Sequence, residues 1–189
     1  MSEQPFLPMT DEAWLDVKDG DPTGRSLFHR HYSYKPYRDG RDPKLFVGPG
    51  EKLVLLTPDA RALFVWRKFI SGDGQQGINC AVFRNENAGL ASDLIREADR
   101  IAWERWPGER HYTYVNPKRV RSSNPGYCFL MAGWRKCGVT KWKKLLIFEI
   151  LPPTPESESS TDSTPHHYPK LDTLPSSNTG GRRTPTPKP

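Results

Sequence analysis

Acidic residues are missing from one long stretch of this chain: between Arg110 and Phe148 there is no Asp or Glu, against nine Lys or Arg. A basic run in an unfolded arm would be solvated and mobile. This one threads a strand (Tyr112 to Val115), an apolar helix (Tyr127 to Trp134) and a closing strand (Leu145 to Ile150), so its charge is fixed on ordered backbone. Such a surface holds a polyanion, and nucleic acid is the commonest one. The plainer alternative is a solvated face that keeps the protein in solution.

Long apolar runs are absent too. None approaches the ~20 residues that cross a bilayer, so no membrane association is expected. Cysteine is scarce: Cys80, Cys128 and Cys137 are odd in number and lack metal-type spacing, which argues against a disulfide framework and for a reducing cytoplasm. No basic region followed by an apolar run opens the chain, so no signal peptide is expected.

Aliphatic residues nearly vanish from 152 to 189, where Pro, Ser and Thr dominate. A segment of that kind cannot offset the entropy of ordering, and a disordered tail with polyproline character is expected. Its charges cancel, Glu156, Glu158, Asp162 and Asp172 against Lys170, Arg182, Arg183 and Lys188, so the net charge of +6 belongs to residues 1–151. One domain over residues 10–151 remains, behind a flexible lead-in at 1–9, with six tryptophans for its core.

Within that domain Thr10 is placed to cap a short helix through Trp14 and Val17, ended by Gly20, Asp21 and Pro22. A second helix is predicted from Gly24 to about Tyr32, then a polar loop from Ser33 to Pro43. Three strands follow, Leu53–Thr57, Ala62–Arg67 and Ile78–Arg84; Pro58 in the turn between the first two supports a hairpin. Their near-continuous apolar character suits a sheet covered on both faces. Leu94, Ile95, Ala98, Ile101, Ala102 and Trp106 make one stripe of a helix from Ser92 to Trp106, with Ser92 as its cap. The strand His111–Val115, the helix at Tyr127–Trp134 and the strand Leu145–Ile150 complete an α+β order.

Candidate chemistry sits at several points. The junction from Arg84 to the helix near Ser92, with Gly89 between, offers a helix N-terminus to an anion such as a cofactor phosphate, although a single Gly before a helix is usually a plain connection. His31 and Tyr32, at a helix end beside Ser33 and near His29, suit proton transfer or metal ligation; a structural His–Tyr pair is the simpler reading. Tyr127 could turn its hydroxyl into a cleft. Cys128 reads as a small buried hydrophobe, and cationic neighbours would lower the Cys137 pKa. Lys118, Arg119 and Arg121 form one basic cluster around the third helix; Arg135, Lys136, Lys141, Lys143 and Lys144 form the other. Trp142 lies inside the second, either stacking on an exposed base, which favours single-stranded or flipped nucleotides, or roofing the core.

The order of elements, with Asn124, Gly133-Trp134 and Gly138, resembles the end of the GNAT acyltransferase fold. Three further features resemble the phage Mom DNA-modification family, a divergent branch of that superfamily: the His31-Tyr32 pair, Arg84 at the end of the third central strand, and Tyr127 leading Ala132-Gly133-Trp134. The resemblance spans about residues 24–150. It implies a mixed, mainly antiparallel sheet flanked by helices. It also implies modification of the exocyclic amine of adenine in DNA, protecting phage DNA from restriction. Iron is associated with that family, and His31 and Tyr32 are the candidate ligands carried over; where an assisting Asp would be expected, this chain has Asn116. The family lacks the usual pyrophosphate loop, and Arg84-Asn85-Glu86-Asn87-Ala88-Gly89 lacks its spacing, so acetyl-CoA is not the expected donor. A flipped base would enter beneath Tyr127 and Trp134. The rival readings are a small-molecule acyl-CoA N-acyltransferase and a non-catalytic nucleic-acid-binding module.

Overall fold

Leu53, Leu55, Phe64 and Trp66 alternate with Val54, Leu56, Leu63 and Val65, and all eight are buried, so both faces of the central hairpin are covered. The hairpin joins β2 (Glu51–Leu56) to β3 (Ala62–Lys68) in a computed structural model that describes residues 13–153. Before it come β1 (Leu15–Val17) and α1 (Pro22–His29). After it come β4 (Ile78–Asn85), α2 (Ala91–Arg105), β5 (His111–Val115), α3 (Tyr127–Met131), β6 (Arg135–Val139) and β7 (Leu146–Ile150). The expected lead-in at 1–9, the Thr10 cap and the tail from 154 onward lie outside the described residues.

The fold class is α+β, a seven-stranded sheet in the order β1-β2-β3-β4-β5-β7-β6 with three helices. Every neighbouring pair is antiparallel except β4 and β5. Leu27 of α1 packs with Val54, Leu56, Leu63 and Val65 on one face. On the other, Leu94, Ile95, Ala98 and Ala102 of α2 and Phe129 of α3 pack on Phe64, Trp66, Cys80 and Phe148. No described helix is long and apolar enough to cross a membrane.

Several elements differ from the sequence expectation, each for a physical reason. Trp14 to Val17 is not helical: Leu15, Asp16 and Val17 pair with Leu56, Leu55 and Val54. A stretch this short cannot offset the cost of nucleating a helix, whereas the open edge of β2 satisfies its backbone at once. Asp21 and Pro22 start a helix instead of ending one. The Asp21 carboxylate accepts from the Gly24 N–H at 2.8 Å, and Pro22 takes the first helical position, where its missing donor costs nothing. Helix α2 begins at Ala91 with Leu90 at its cap position, and Ser92 is buried inside its first turn. Helix α3 is only five residues long. Gly133 adopts φ +94°, and the Trp134 N–H reaches back to the Phe129 carbonyl at 3.0 Å, which closes the helix. Strand β6 was not legible: Arg135 to Val139 is largely exposed and shows no apolar alternation, as a charged edge strand should.

Candidate functional site

Strands β4 and β5 stay paired for three residues only, Ile78 with His111, Asn79 with Tyr112 and Cys80 with Thr113. The Thr113 hydroxyl donates to the Cys80 carbonyl at 2.9 Å and closes the last rung. Past it β4 runs on to Asn85 alongside β3, while β5 pairs with β7, and the two parallel strands part. Backbone groups along that gap have no ladder partner, the usual reason why ligands bind at such openings. A cavity of about 760 Å³ occupies the opening. Cys80, Phe83 and Arg84 of β4 and Thr113 to Val115 of β5 form its walls. Gly126, Cys128 and Phe129 close one side, and Arg30, His31 and Tyr32, just past α1, close another. Arg119 and Arg121 contribute from the loop after β5. Gly126 is required there: its φ is +89°, and a Cβ would lie 2.3 Å from the Phe148 ring.

His31 is only 8% exposed. Its Nδ1 accepts the Ser33 N–H at 3.3 Å and lies 2.7 Å from Ser33 Oγ. A backbone N–H can only donate, so Nδ1 is unprotonated and the neutral ring carries its proton on Nε2. Burial, and then the positive charge of Arg84, push the imidazole pKa down to about 4. At neutral pH His31 is therefore an uncharged donor through Nε2–H. Tyr32 packs against it with ring centroids 4.3 Å apart, and its hydroxyl donates toward the Tyr114 carbonyl at 3.4 Å. Burial raises the phenol pKa, with hydrogen bonding to the Asn116 backbone pulling the other way.

Arg84 and Arg30 share one carboxylate. Glu86 accepts from Arg30 Nε at 2.8 Å and Nη2 at 3.0 Å, and from Arg84 Nε at 2.6 Å. Arg30 first, then Arg84, hold its carboxyl down to about 2. Arg84 also donates through Nη1 to the Arg30 carbonyl at 2.5 Å. This lattice pins the segment that carries His31 to the end of β4. Arg84 thus acts as a strut as well as a wall, and its charge is already half answered. By contrast, Lys118, Arg119 and Arg121 form no salt bridge with a described residue.

The residues singled out from sequence do not all converge. His31, Tyr32, Arg84, Arg119 and Arg121 do. Gly89 does not line the cavity; its carbonyl accepts from Asn85 Nδ2 at 2.8 Å, which folds the loop on itself. Tyr127 is 53% exposed and points away from the lining, while its neighbours Gly126 and Cys128 form it. Trp134 is a core residue whose Nε1–H donates to Asp99 at 2.8 Å, so no base could enter beneath it. Cys128 is half-buried with its thiol pushed up by burial. Cys137 is also pushed up, by burial and the Glu149 carboxylate, which outweigh the nearby Arg110. Ser33 was singled out beside His31 without its role, and Glu86 was missed, because its partner Arg30 lies 56 residues away.

The basic run divides between the two ends of the sheet. Val115 pairs with Leu146, and Leu146 pairs with Val139. The loop after β5 (Lys118, Arg119, Arg121) and the turn between β6 and β7 (Lys141, Lys143, Lys144) therefore leave from the same end as the cavity. Arg110 and Arg135 sit at the other end. Glu149 accepts from Arg110 Nε at 2.5 Å and from Arg135 Nε at 3.0 Å. Lys136 starts β6 beside them. Arg135 and Lys136 thus leave the expected nucleic-acid surface. Trp142 does not roof the core: it is 87% exposed at the turn.

Iron fits this site poorly. Among the described residues no three His, Cys, Asp or Glu side chains come together to hold a metal. His31 and Tyr32 together offer two ligand atoms, and the Tyr32 hydroxyl is already turned to the Tyr114 carbonyl. No protein-family model matches the chain, and no curated protein matches it either.

Proposed function

We propose that this protein is a GNAT-like group transferase acting on DNA, with the exocyclic amine of adenine as its target. One observation carries the reading: the cavity between β4 and β5 joins the neutral imidazole of His31, walled by Tyr32, to a rim where Arg119 and Arg121 lack an acidic partner among the described residues. The element order and the opening of the parallel pair support the GNAT-like part. The six cations at the cavity end support the DNA part, since phosphates demand unpaired Lys and Arg.

The chemistry follows from the protonation states. An exocyclic amine attacking the carbonyl of an ester or thioester donor forms a C–N bond and builds negative charge on the carbonyl oxygen. The intermediate collapses by breaking the bond to the alcohol or thiol, which leaves with the proton lost by the amine. A neutral N–H donor held in a fixed orientation stabilises that charge at little reorganisation cost. The His31 Nε2–H is a group of that kind, its ring held by Ser33 and its segment by the Arg30–Glu86–Arg84 lattice. Tyr32, whose hydroxyl donates to the Tyr114 carbonyl, packs against the ring. A target base would have to leave the duplex to reach His31. Arg119 and Arg121 would hold the phosphates on either side.

The test is mass spectrometry of nucleosides from the DNA of cells expressing the protein. A new adenine-derived mass that disappears with His31→Ala is the expected result. Unchanged nucleosides, together with a rise in melting temperature on adding acetyl-CoA, would favour a small-molecule acyltransferase.

A further inference from the structure

Five of the six tryptophans belong to the packed body of the domain or its flank, and Trp142 alone stands clear of it. Its position is not a loose loop. Thr140 closes the β6–β7 turn three times: its N–H donates to the Leu145 carbonyl at 2.8 Å, its carbonyl accepts from the Lys144 N–H at 3.2 Å, and its hydroxyl accepts from the Leu145 N–H at 2.9 Å. Lys144 takes φ +53° to complete the turn. The indole is therefore held out at the tip of a pinned hairpin. Lys141 Nζ lies 5.6 Å from its ring centroid, and Lys143 and Lys144 flank it without an ion pair to a described residue.

A lone exposed side chain is ordinary, but an indole presented by a pinned turn among three lysines offers a recognition surface. The surrounding charge excludes a basic or purely apolar one and suits a polyanion that also offers flat rings. A nucleic acid is that chemistry: phosphates for the lysines, a base face for the indole. Strand spacing sets the reach. The near strand of the hairpin, β7, pairs directly with β5 and β6 lies one strand further, so the tip stands roughly 5–10 Å sideways of β5, about one to three base steps along a DNA strand. The tip and the cavity mouth therefore address neighbouring positions of one duplex.

We infer that the β6–β7 tip is a duplex-opening wedge: Trp142 stacks on bases beside the target and replaces the stacking lost when the target base swings into the cavity. This rests on the DNA reading above and assigns it double-stranded DNA as substrate, with opening done by the protein itself. The lysines would hold the backbone against the hairpin, and the indole would act only where a base pair is disrupted.

The experiment measures binding of the full chain, by fluorescence anisotropy at fixed salt, to a 20-base-pair duplex that is matched or carries one abasic site. The native chain should prefer the abasic duplex by about tenfold, the size of one base–aromatic stack. Trp142→Ala should erase that preference while leaving affinity for the matched duplex within about twofold. Trp142→Phe should keep part of it. The indole is 87% exposed, so an unchanged melting temperature is expected for both variants. A full preference retained by Trp142→Ala would overturn the wedge and leave DNA binding standing. A native chain with no preference would also overturn it. A native chain that binds neither duplex would overturn the wedge and the DNA reading together.

Discussion

The two ends of the sheet carry the same kind of charge and put it to opposite uses. At the far end Arg110 and Arg135 converge on Glu149, a carboxylate with only a tenth of its side chain exposed. Burial pushes that carboxyl up, but the two guanidinium groups outweigh it and hold it below the usual range. At the cavity end, Lys118, Arg119, Arg121, Lys141, Lys143 and Lys144 leave on two neighbouring connections with no described acid to answer them. A cation closed by an acid holds backbone together, and a cation left open is available to a partner. Charge counted along the chain cannot separate the two, because Glu149 stands one residue past the acid-free run.

If that division is right, substitutions at the two ends should fail in different assays. The largest expected effect is His31→Ala, which should lower base modification by about a hundredfold or more, the usual scale for losing an oriented donor to a developing oxyanion. Its melting temperature should fall by only a few degrees, from the lost packing of the buried ring, so the activity is read on folded protein. Glu149→Gln should do the reverse. It strands two guanidinium groups and should cost about 1–3 kcal/mol in a denaturant titration, with DNA affinity unchanged or slightly raised. A loss of activity at constant stability in Glu149→Gln would erase the distinction between the ends.

A smaller effect is expected from Ser33→Ala. The hydroxyl contact to His31 Nδ1 goes while the backbone N–H remains, so the ring is less firmly held. Roughly tenfold lower turnover with unchanged substrate affinity would place Ser33 as a positioning residue. Unchanged turnover would make its contact purely structural.

The smallest effect is in the pH dependence of stability. In the folded chain His31 titrates at about 4 against an ordinary 6.5. Between those values the unfolded chain binds the extra proton, so stability falls as pH drops from about 6.5 to about 4. Glu86, at about 2 against 4.5, adds a second loss below that window. His31→Gln should flatten the melting temperature between pH 6.5 and 4, by a few degrees, and leave the lower loss in place. A native profile already flat there would contradict the buried, neutral imidazole.

The parts that were legible in the sequence are those with a strong local signal. Leu94, Ile95, Ala98 and Ala102 announced α2, and the apolar runs around Leu55 and Phe64 announced the central hairpin. The charged β6 and the three-residue β1 gave none, because pairing with a neighbour, not their own pattern, makes them strands. At the site, His31, Tyr32 and Arg84 were singled out as residue types and do meet in one cavity. Gly89 and Tyr127 were chosen for their places beside helix starts; the neighbours of Tyr127 line the cavity instead, and Gly89 lies in a loop folded on itself. The tautomer of His31 could not be read from sequence at all. It depends on Ser33 folding back by two residues, which places the ring proton on Nε2.

The salt dependence of duplex binding tests the difference between the ends most directly. For the native chain, log affinity should fall steeply with log salt. Lys141→Ala, Lys143→Ala and Lys144→Ala together should make that slope shallower by about three. Arg135→Ala and Lys136→Ala together should leave it unchanged. Equal flattening by both sets, or by the far-end pair alone, would contradict a DNA-facing cavity end.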